Sequence, residues 1–114
     1  MSDVFTELIP CTSGIDVECN ALEVKVYYDL GGVSWATGNQ KKRGYYLSVS
    51  PLQVGGGFVR YQGFSGMYYL LNEVARQSKK GEELALKLAK ESKKKVIDAV
   101  CLKHGIELLE AVNV

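Results

Sequence analysis

The chain has few of the residues that carry enzyme chemistry. Among its 114 residues it holds one histidine, His104, and it contains no GxSxG, HExxH, Walker or GxGxxG motif. The glycine run 55–57 lies between two predicted strands and lacks the helix N-terminus that would hold a phosphate. His104 falls in the last turn of a predicted helix, where histidine commonly serves as a cap. We therefore expect no catalytic residue and no enzyme activity.

A secretory leader and a long apolar run are also missing. No segment approaches the roughly 20 apolar residues that span a bilayer. Asp3 and Glu7 occupy the stretch where a signal peptide would be first basic and then apolar. We expect a cytoplasmic protein without a membrane partner.

Cysteine is scarce. Cys11, Cys19 and Cys101 are odd in number and widely spaced, which favours free thiols over a disulfide framework. Cys101 and His104 form a C-x-x-H pair, but the C-x7-C spacing of the other two is not that of a common zinc site. We expect no metal and no cofactor.

The remaining composition is that of an ordinary globular domain with unevenly distributed charge. The chain is 46% hydrophobic and 24% charged, and its net charge is +1. Residues 1–29 hold six acids against one lysine, whereas residues 30–114 hold thirteen lysines and arginines against seven acids. A basic surplus of this kind suits either a local surface that faces an anion or ordinary solubility.

The first two-thirds of the chain predict strands. Apolar and polar residues alternate over residues 22–29, and further candidate strands cover 33–37, 45–50 and 58–64, separated by glycine-rich or basic turns. Their short connections favour an antiparallel four-stranded meander. Residues 1–20 show weak periodicity and are predicted to be an N-terminal arm with at most one short strand.

Two helices are predicted after this sheet. Ser65 is a suitable N-cap, and the apolar residues that follow it recur at helical spacing, namely Met67, Leu70, Leu71 and Val74. A longer helix is predicted from about residue 82 to residue 104, with Gly105 ending it. The predicted fold is a single α+β domain over residues 1–114, with both C-terminal helices packed on one sheet face. Its parts are an arm at 1–20, a sheet at 21–64, helices at 65–105 and a tail at 106–114.

Aromatic and basic residues share the predicted strands. If Tyr28, Tyr45, Leu47 and Val59 face the core, the opposite face presents Lys25, Tyr27, Tyr46, Ser48 and Arg60. Rings and cations of this kind stack bases and neutralise phosphates, and a basic loop at 41–43 extends the positive track. The candidate nucleic-acid-binding residues are Tyr27, Trp35, Lys41, Lys42, Arg43, Tyr46, Phe58 and Arg60.

A second interpretation stays open. Outward tyrosines are common β-formers, and they can pack against a second subunit or against the arm. The thin apolar stripe of the long helix can pair with a copy of itself, while its lysines fit an ordinary solvated face. The two hypotheses are non-enzymatic binding of single-stranded DNA or RNA, and a homo-oligomeric or protein-interaction accessory module, for which a homodimer is one form.

Two resemblances accompany these patterns. The segments YDLGG at 28–32, TG at 37–38 and RGYYLSVSP at 43–51 resemble small uncharacterised accessory proteins of bacterial mobile elements. The order of four strands and a helix, with Arg60 in the last strand, is similar to the transcriptional-coactivator-type single-stranded-DNA-binding fold. In that fold a curved sheet grips the strand and the helix dimerises, so the resemblance implies single-stranded DNA binding by a dimer.

Overall fold

The structure is a computed structural model that describes residues 2–33, 38–61 and 66–109. Within these residues a mostly antiparallel sheet is followed by one C-terminal helix, so the predicted α+β class is confirmed and the second predicted helix is not found. The elements are β1 Ser2–Pro10, β2 Ala21–Asp29, β3 Gly32–Val33, β4 Gln40–Lys41, β5 Gly44–Gly55, β6 Phe58–Tyr61, β7 Met67–Glu73 and α1 Lys79–His104.

A long hairpin forms the centre of the sheet. β2 and β5 pair directly, from Ala21 opposite Leu52 to Asp29 opposite Gly44. β3 and β4 continue the same register as the tip of this hairpin, with Gly32 opposite Lys41. The predicted meander order is therefore wrong, because β2 pairs directly with β5 and not with a strand at 33–37. Val33, the first residue of that predicted strand, lies in β3. Residues 34–37 lie outside the described residues.

The predicted arm contains a nine-residue strand. β1 pairs with β2 along its length, with a register shift between Asp3 and Phe5. A bulge of this kind places an extra residue in one strand and interrupts the alternation of side chains. The interruption contributes to the weak periodicity at the start of this strand.

The segment predicted as the first helix is also a strand. β7 pairs with the first half of β5, with Met67 opposite Val49 and Glu73 opposite Gly44. β6 pairs with the second half of β5, so both strands lie along the same side of it. Adjacent tyrosines and leucines suit a strand, and pairing with β5 overrides the helical spacing of the apolar residues. The sheet thus has five strands, where four were predicted.

The long predicted helix is confirmed as α1. Ser78 caps its N-terminus by accepting a hydrogen bond from the backbone N–H of Gly81 at 3.0 Å, so the helix begins about one turn earlier than expected. Gly105 ends it in the left-handed conformation at φ 66°, and its N–H donates to the Cys101 carbonyl. A residue with a Cβ adopts this conformation only at a cost, which accounts for glycine at that position.

α1 covers one face of the sheet, here called the inner face. Seven residues of β2 and β5 on that face are buried, namely Leu22, Val24, Val26, Tyr28, Tyr45, Leu47 and Val49. Five helix residues are buried against them, namely Ala85, Ala89, Val96, Ile97 and Val100. The predicted inward positions of Tyr28, Tyr45 and Leu47 are thus confirmed. The opposite side, the outer face, carries Tyr27 and Tyr46.

Candidate functional site

The outer face holds a lysine enclosed by three tyrosines. The Tyr27 and Tyr46 rings stack with centroids 5.8 Å apart, and Tyr68 meets Tyr46 edge-on at 5.9 Å. The Lys41 ammonium nitrogen lies 5.1, 4.4 and 4.6 Å from the centroids of Tyr27, Tyr46 and Tyr68. Each distance is within the range of a cation–π interaction. We call these four residues the tyrosine cage.

Strand pairing builds this cage. Tyr27 on β2 lies directly opposite Tyr46 on β5, so the two rings share a face and stack. Tyr68 on β7 lies opposite Ser48, one position along the same face from Tyr46. Lys41 comes from β4 in the hairpin tip and reaches across the rings. The four residues come from four different strands, so no pattern within one stretch of the sequence predicts the cage.

Asp29 completes the cage with a charge. Its carboxylate lies 2.9 Å from Lys41 Nζ, which also donates to the Tyr27 hydroxyl at 3.1 Å. Burial opposes ionisation of Asp29, but hydrogen bonds from Lys41 and from the Gly31 backbone outweigh it and lower its pKa below 3.8. Burial likewise opposes the charge on Lys41, yet its bonds to Tyr27 and Asp29 raise its pKa above 10.5. The pair is therefore ionised at neutral pH.

The other two cations of the predicted basic loop contact the protein itself. Arg43 donates from Nε to the Leu30 carbonyl and from Nη1 to the Ala75 carbonyl, both at 3.1 Å. Lys42 Nζ lies 3.5 Å from the Glu73 carboxylate, and its carbonyl accepts a 2.6 Å bond from the Tyr46 hydroxyl. This loop ties the hairpin tip to the end of β7.

Phe58 and Arg60 lie on the other side of the sheet from Tyr27 and Tyr46. Tyr61 faces Leu52 across the strands, and its hydroxyl donates to the outer-face carboxylate of Glu23 at 3.0 Å. Because side chains alternate, Val59 shares the outer face with Tyr61, and the predicted sides of Val59 and Arg60 are wrong. A slip of one residue across the glycine turn reverses every side chain, and the sequence does not reveal it.

The predicted stacking residues are thus divided by the fold. Tyr27 and Tyr46 are only 6% and 3% exposed, whereas Phe58 is 78% exposed. Trp35 lies outside the described residues. Lys25, on the same face, is paired with carboxylates of Asp3 at 3.7 Å and Glu23 at 3.5 Å. The structure brings together Tyr27, Lys41 and Tyr46 in the cage and leaves Arg60 and Phe58 apart from them.

The feature that sequence reasoning missed is the sheet edge formed by β7. In the described part of the chain β7 pairs with β5 alone, so its other side has no strand partner. Tyr68 is 60% exposed, and Tyr69 and Leu70 beside it are also exposed. The run of strand-forming residues at 67–71 is a signal for this edge, but the helical spacing concealed it.

The histidine and the cysteines lie at the opposite end of the sheet. His104 is buried, and its Nδ1 lies 2.7 Å from an Asp16 carboxylate oxygen, a hydrogen bond that lowers the Asp16 pKa. Cys11 Sγ lies 3.9 Å from Cys19 Sγ. Over the residues that the structure describes, no three side chains of the metal-ligating types gather in one place.

The reactivity of the three cysteine thiols tests the packing at this end of the sheet. Burial, together with the neighbouring Cys19, raises the pKa of Cys11 from 9.0 to about 12, so very little of it is thiolate at neutral pH. We expect iodoacetamide at neutral pH to modify the half-buried Cys101 before the buried Cys11 and Cys19. Peptide mass spectrometry measures the order. Native-state labelling of Cys11 as fast as that of Cys101 would contradict the packing.

Acid should weaken the fold through Asp29. Because its folded pKa lies below 3.8, its ion pair stabilises the protein above that pH, and the contribution is lost as pH falls through the folded value. We expect Asp29→Asn to lower stability at neutral pH and to flatten the acid dependence. Urea unfolding across acid pH measures both effects. Asp98→Asn, which removes the exposed pair with Lys94, is the control and should change little.

Comparison with protein-family models, with curated proteins and with solved structures finds no match for the chain. The two resemblances seen in the sequence stay predictions, since none of these comparisons bears on them. Within the described residues no helix is long and apolar enough to cross a membrane.

Proposed function

We propose that the protein is a homo-oligomeric interaction module that dimerises through the exposed edge of β7. The observation that supports this proposal is the exposed run Tyr68, Tyr69 and Leu70 on a strand that, among the described residues, has a strand partner on one side only. An unpaired strand presents a row of N–H and C=O groups that another strand can bond. Residues 67–72 carry no charge to oppose such pairing.

The other edge of the sheet is less suited to pairing. β1 carries Asp3 and Glu7, whereas residues 67–72 of β7 carry no charge. Each of the two strands has one register shift, so the charges alone distinguish the edges. Charged side chains are a feature by which sheet edges resist addition of a strand. The two edges therefore differ in charge, as expected if the uncharged β7 edge is an interface.

A second copy of the chain is the partner that best fits the β7 edge. A strand edge is self-complementary when two copies run antiparallel, and such a contact closes under two-fold symmetry. Pairing of β7 with β1 would instead extend without limit, and it would bring Glu73 of one edge near the acids of the other. Tyrosines are also enriched at protein interfaces.

Sedimentation equilibrium of the wild-type chain tests the proposal. The chain has a mass of 12.6 kDa. We expect the measured mass to rise to twice that value as protein concentration increases. A mass of one chain throughout the micromolar to millimolar range would contradict the proposal.

Binding of single-stranded nucleic acid is a second candidate, now centred on the β5–β6 hairpin. Phe58 and Arg60 are exposed on one side of β6, and Val59 and Tyr61 are exposed on the other. Exposed rings beside a guanidinium are suited to base stacking. The cage supports this function less, because Tyr27 and Tyr46 are covered and Asp29 neutralises Lys41.

A labelled oligonucleotide distinguishes the second candidate. If it holds, fluorescence anisotropy shows binding that weakens as salt rises. Phe58→Ala and Arg60→Gln should then reduce affinity, whereas Arg76→Gln, which changes an exposed arginine outside β6, should leave it nearly unchanged. Absence of binding at low salt would exclude this candidate and leave the dimerisation proposal untouched.

A further inference from the structure

A cavity of about 310 Å³ lies between the inner sheet face and the first half of α1. Its floor is made by Val24, Val26 and Leu47, all of which are almost fully buried. Phe5 and Leu86 flank the mouth and are partly exposed. A mainly apolar cavity of this size is at the lower end of the range for small-molecule sites.

The helix leaves this space because its side chains there are small. Ala89 is the buried α1 residue that lines the cavity, whereas the larger side chains Val96, Ile97 and Val100 are buried further along the helix. Protein interiors are otherwise close-packed, so this opening leaves apolar surface that a ligand can cover.

Two lysines give the mouth a positive charge. Lys90 and Lys93 both line the cavity. Lys93 Nζ lies 3.3 Å from the Glu7 carboxylate, so its charge is already compensated, while Lys90 is exposed on the helix. Two ammonium groups and one carboxylate leave a single positive charge beside an apolar chamber.

We infer that this cavity binds an amphiphilic monocarboxylate, with its apolar tail against Phe5 and Leu86 and its carboxylate at Lys90. Burial of the tail supplies most of the affinity, because each methylene removed from water is favourable. The charged hydrogen bond to Lys90 supplies orientation and discrimination against neutral molecules. This site is separate from the β7 edge.

Calorimetric titration with octanoate and with octanol at neutral pH tests the inference. We expect saturable octanoate binding that is about tenfold tighter than octanol binding. Lys90→Gln should weaken octanoate binding by the same factor of about ten. Lys87→Gln is the matched control, since Lys87 is an exposed lysine of the same helix outside the cavity lining, and it should bind as the wild type does. Ala89→Leu fills the chamber and should abolish binding of both compounds.

Methyl NMR of the wild-type chain locates the ligand without any substitution. Octanoate should shift the methyl signals of Leu86, which lines the cavity, while those of Leu102, an exposed residue of α1 outside the lining, stay in place. The inference is overturned if octanoate fails to bind or if the Leu86 methyls do not respond. It is also overturned if octanol binds as tightly as octanoate.

Discussion

Replacing Tyr46 with alanine should lower the free energy of unfolding by about 3–5 kcal/mol, the usual cost of deleting a buried aromatic side chain. Tyr46 is almost fully buried, stacks on Tyr27 and donates a 2.6 Å hydrogen bond to the Lys42 carbonyl. Its ring also lies nearest to the Lys41 ammonium within the tyrosine cage. Urea unfolding monitored by circular dichroism measures the loss.

Two control variants separate the contributions to that loss. Tyr68→Ala removes the exposed ring of the same cage and should cost only about 0.5–1.5 kcal/mol. Tyr46→Phe removes only the hydroxyl and should cost about 1 kcal/mol. Equal losses in Tyr46→Ala and Tyr68→Ala would show that Tyr46 is not packed as described and that its ring is available to a ligand.

Replacing Leu70 with lysine should raise the dissociation constant of the proposed dimer on the order of 100-fold. Leu70 is exposed on the outer side of β7, so the substitution changes the edge without opening the core. In the dimer the two new charges would come close together, and lysine on an edge strand is a common barrier to pairing. Light scattering over a range of protein concentrations measures the shift.

Leu102→Lys is the matched control for this prediction. Leu102 is 87% exposed on α1, far along the chain from β7. The substitution adds the same charge to a different surface and should leave the dimer intact. If Leu102→Lys dissociates the dimer and Leu70→Lys does not, the interface lies on the helix, as the coactivator-type resemblance implies.

The elements with an uninterrupted local pattern were predictable. The alternation at 22–29 predicted β2 and the residues that face α1, and the strong helix formers with Gly105 predicted α1 and its end. Both signals arise within one element and need no knowledge of its neighbours. Their agreement with the structure is what local consistency between sequence and fold leads one to expect.

The errors occur where the fold depends on pairing between distant segments. The apolar residues at 67–74 recur at helical spacing. In the structure, however, β7 forms in this segment because its backbone pairs with the edge of β5. The side presented by Arg60 depends on register across a glycine turn, and one residue of slip reverses it. The sequence predicts that Lys41 contacts phosphate. In the structure Asp29 and three tyrosines from three strands enclose its ammonium group. No local pattern contains that information.

Hydrogen exchange of the wild-type chain at two concentrations tests the proposed β7 interface most directly. In an antiparallel edge strand every second amide bonds to the neighbouring strand and the others face solvent. We expect the solvent-facing amides of β7 to gain protection at the concentration at which the mass doubles, while those of the β1 edge do not change. Protection that appears on β1 or α1, or that never appears on β7, would contradict the account.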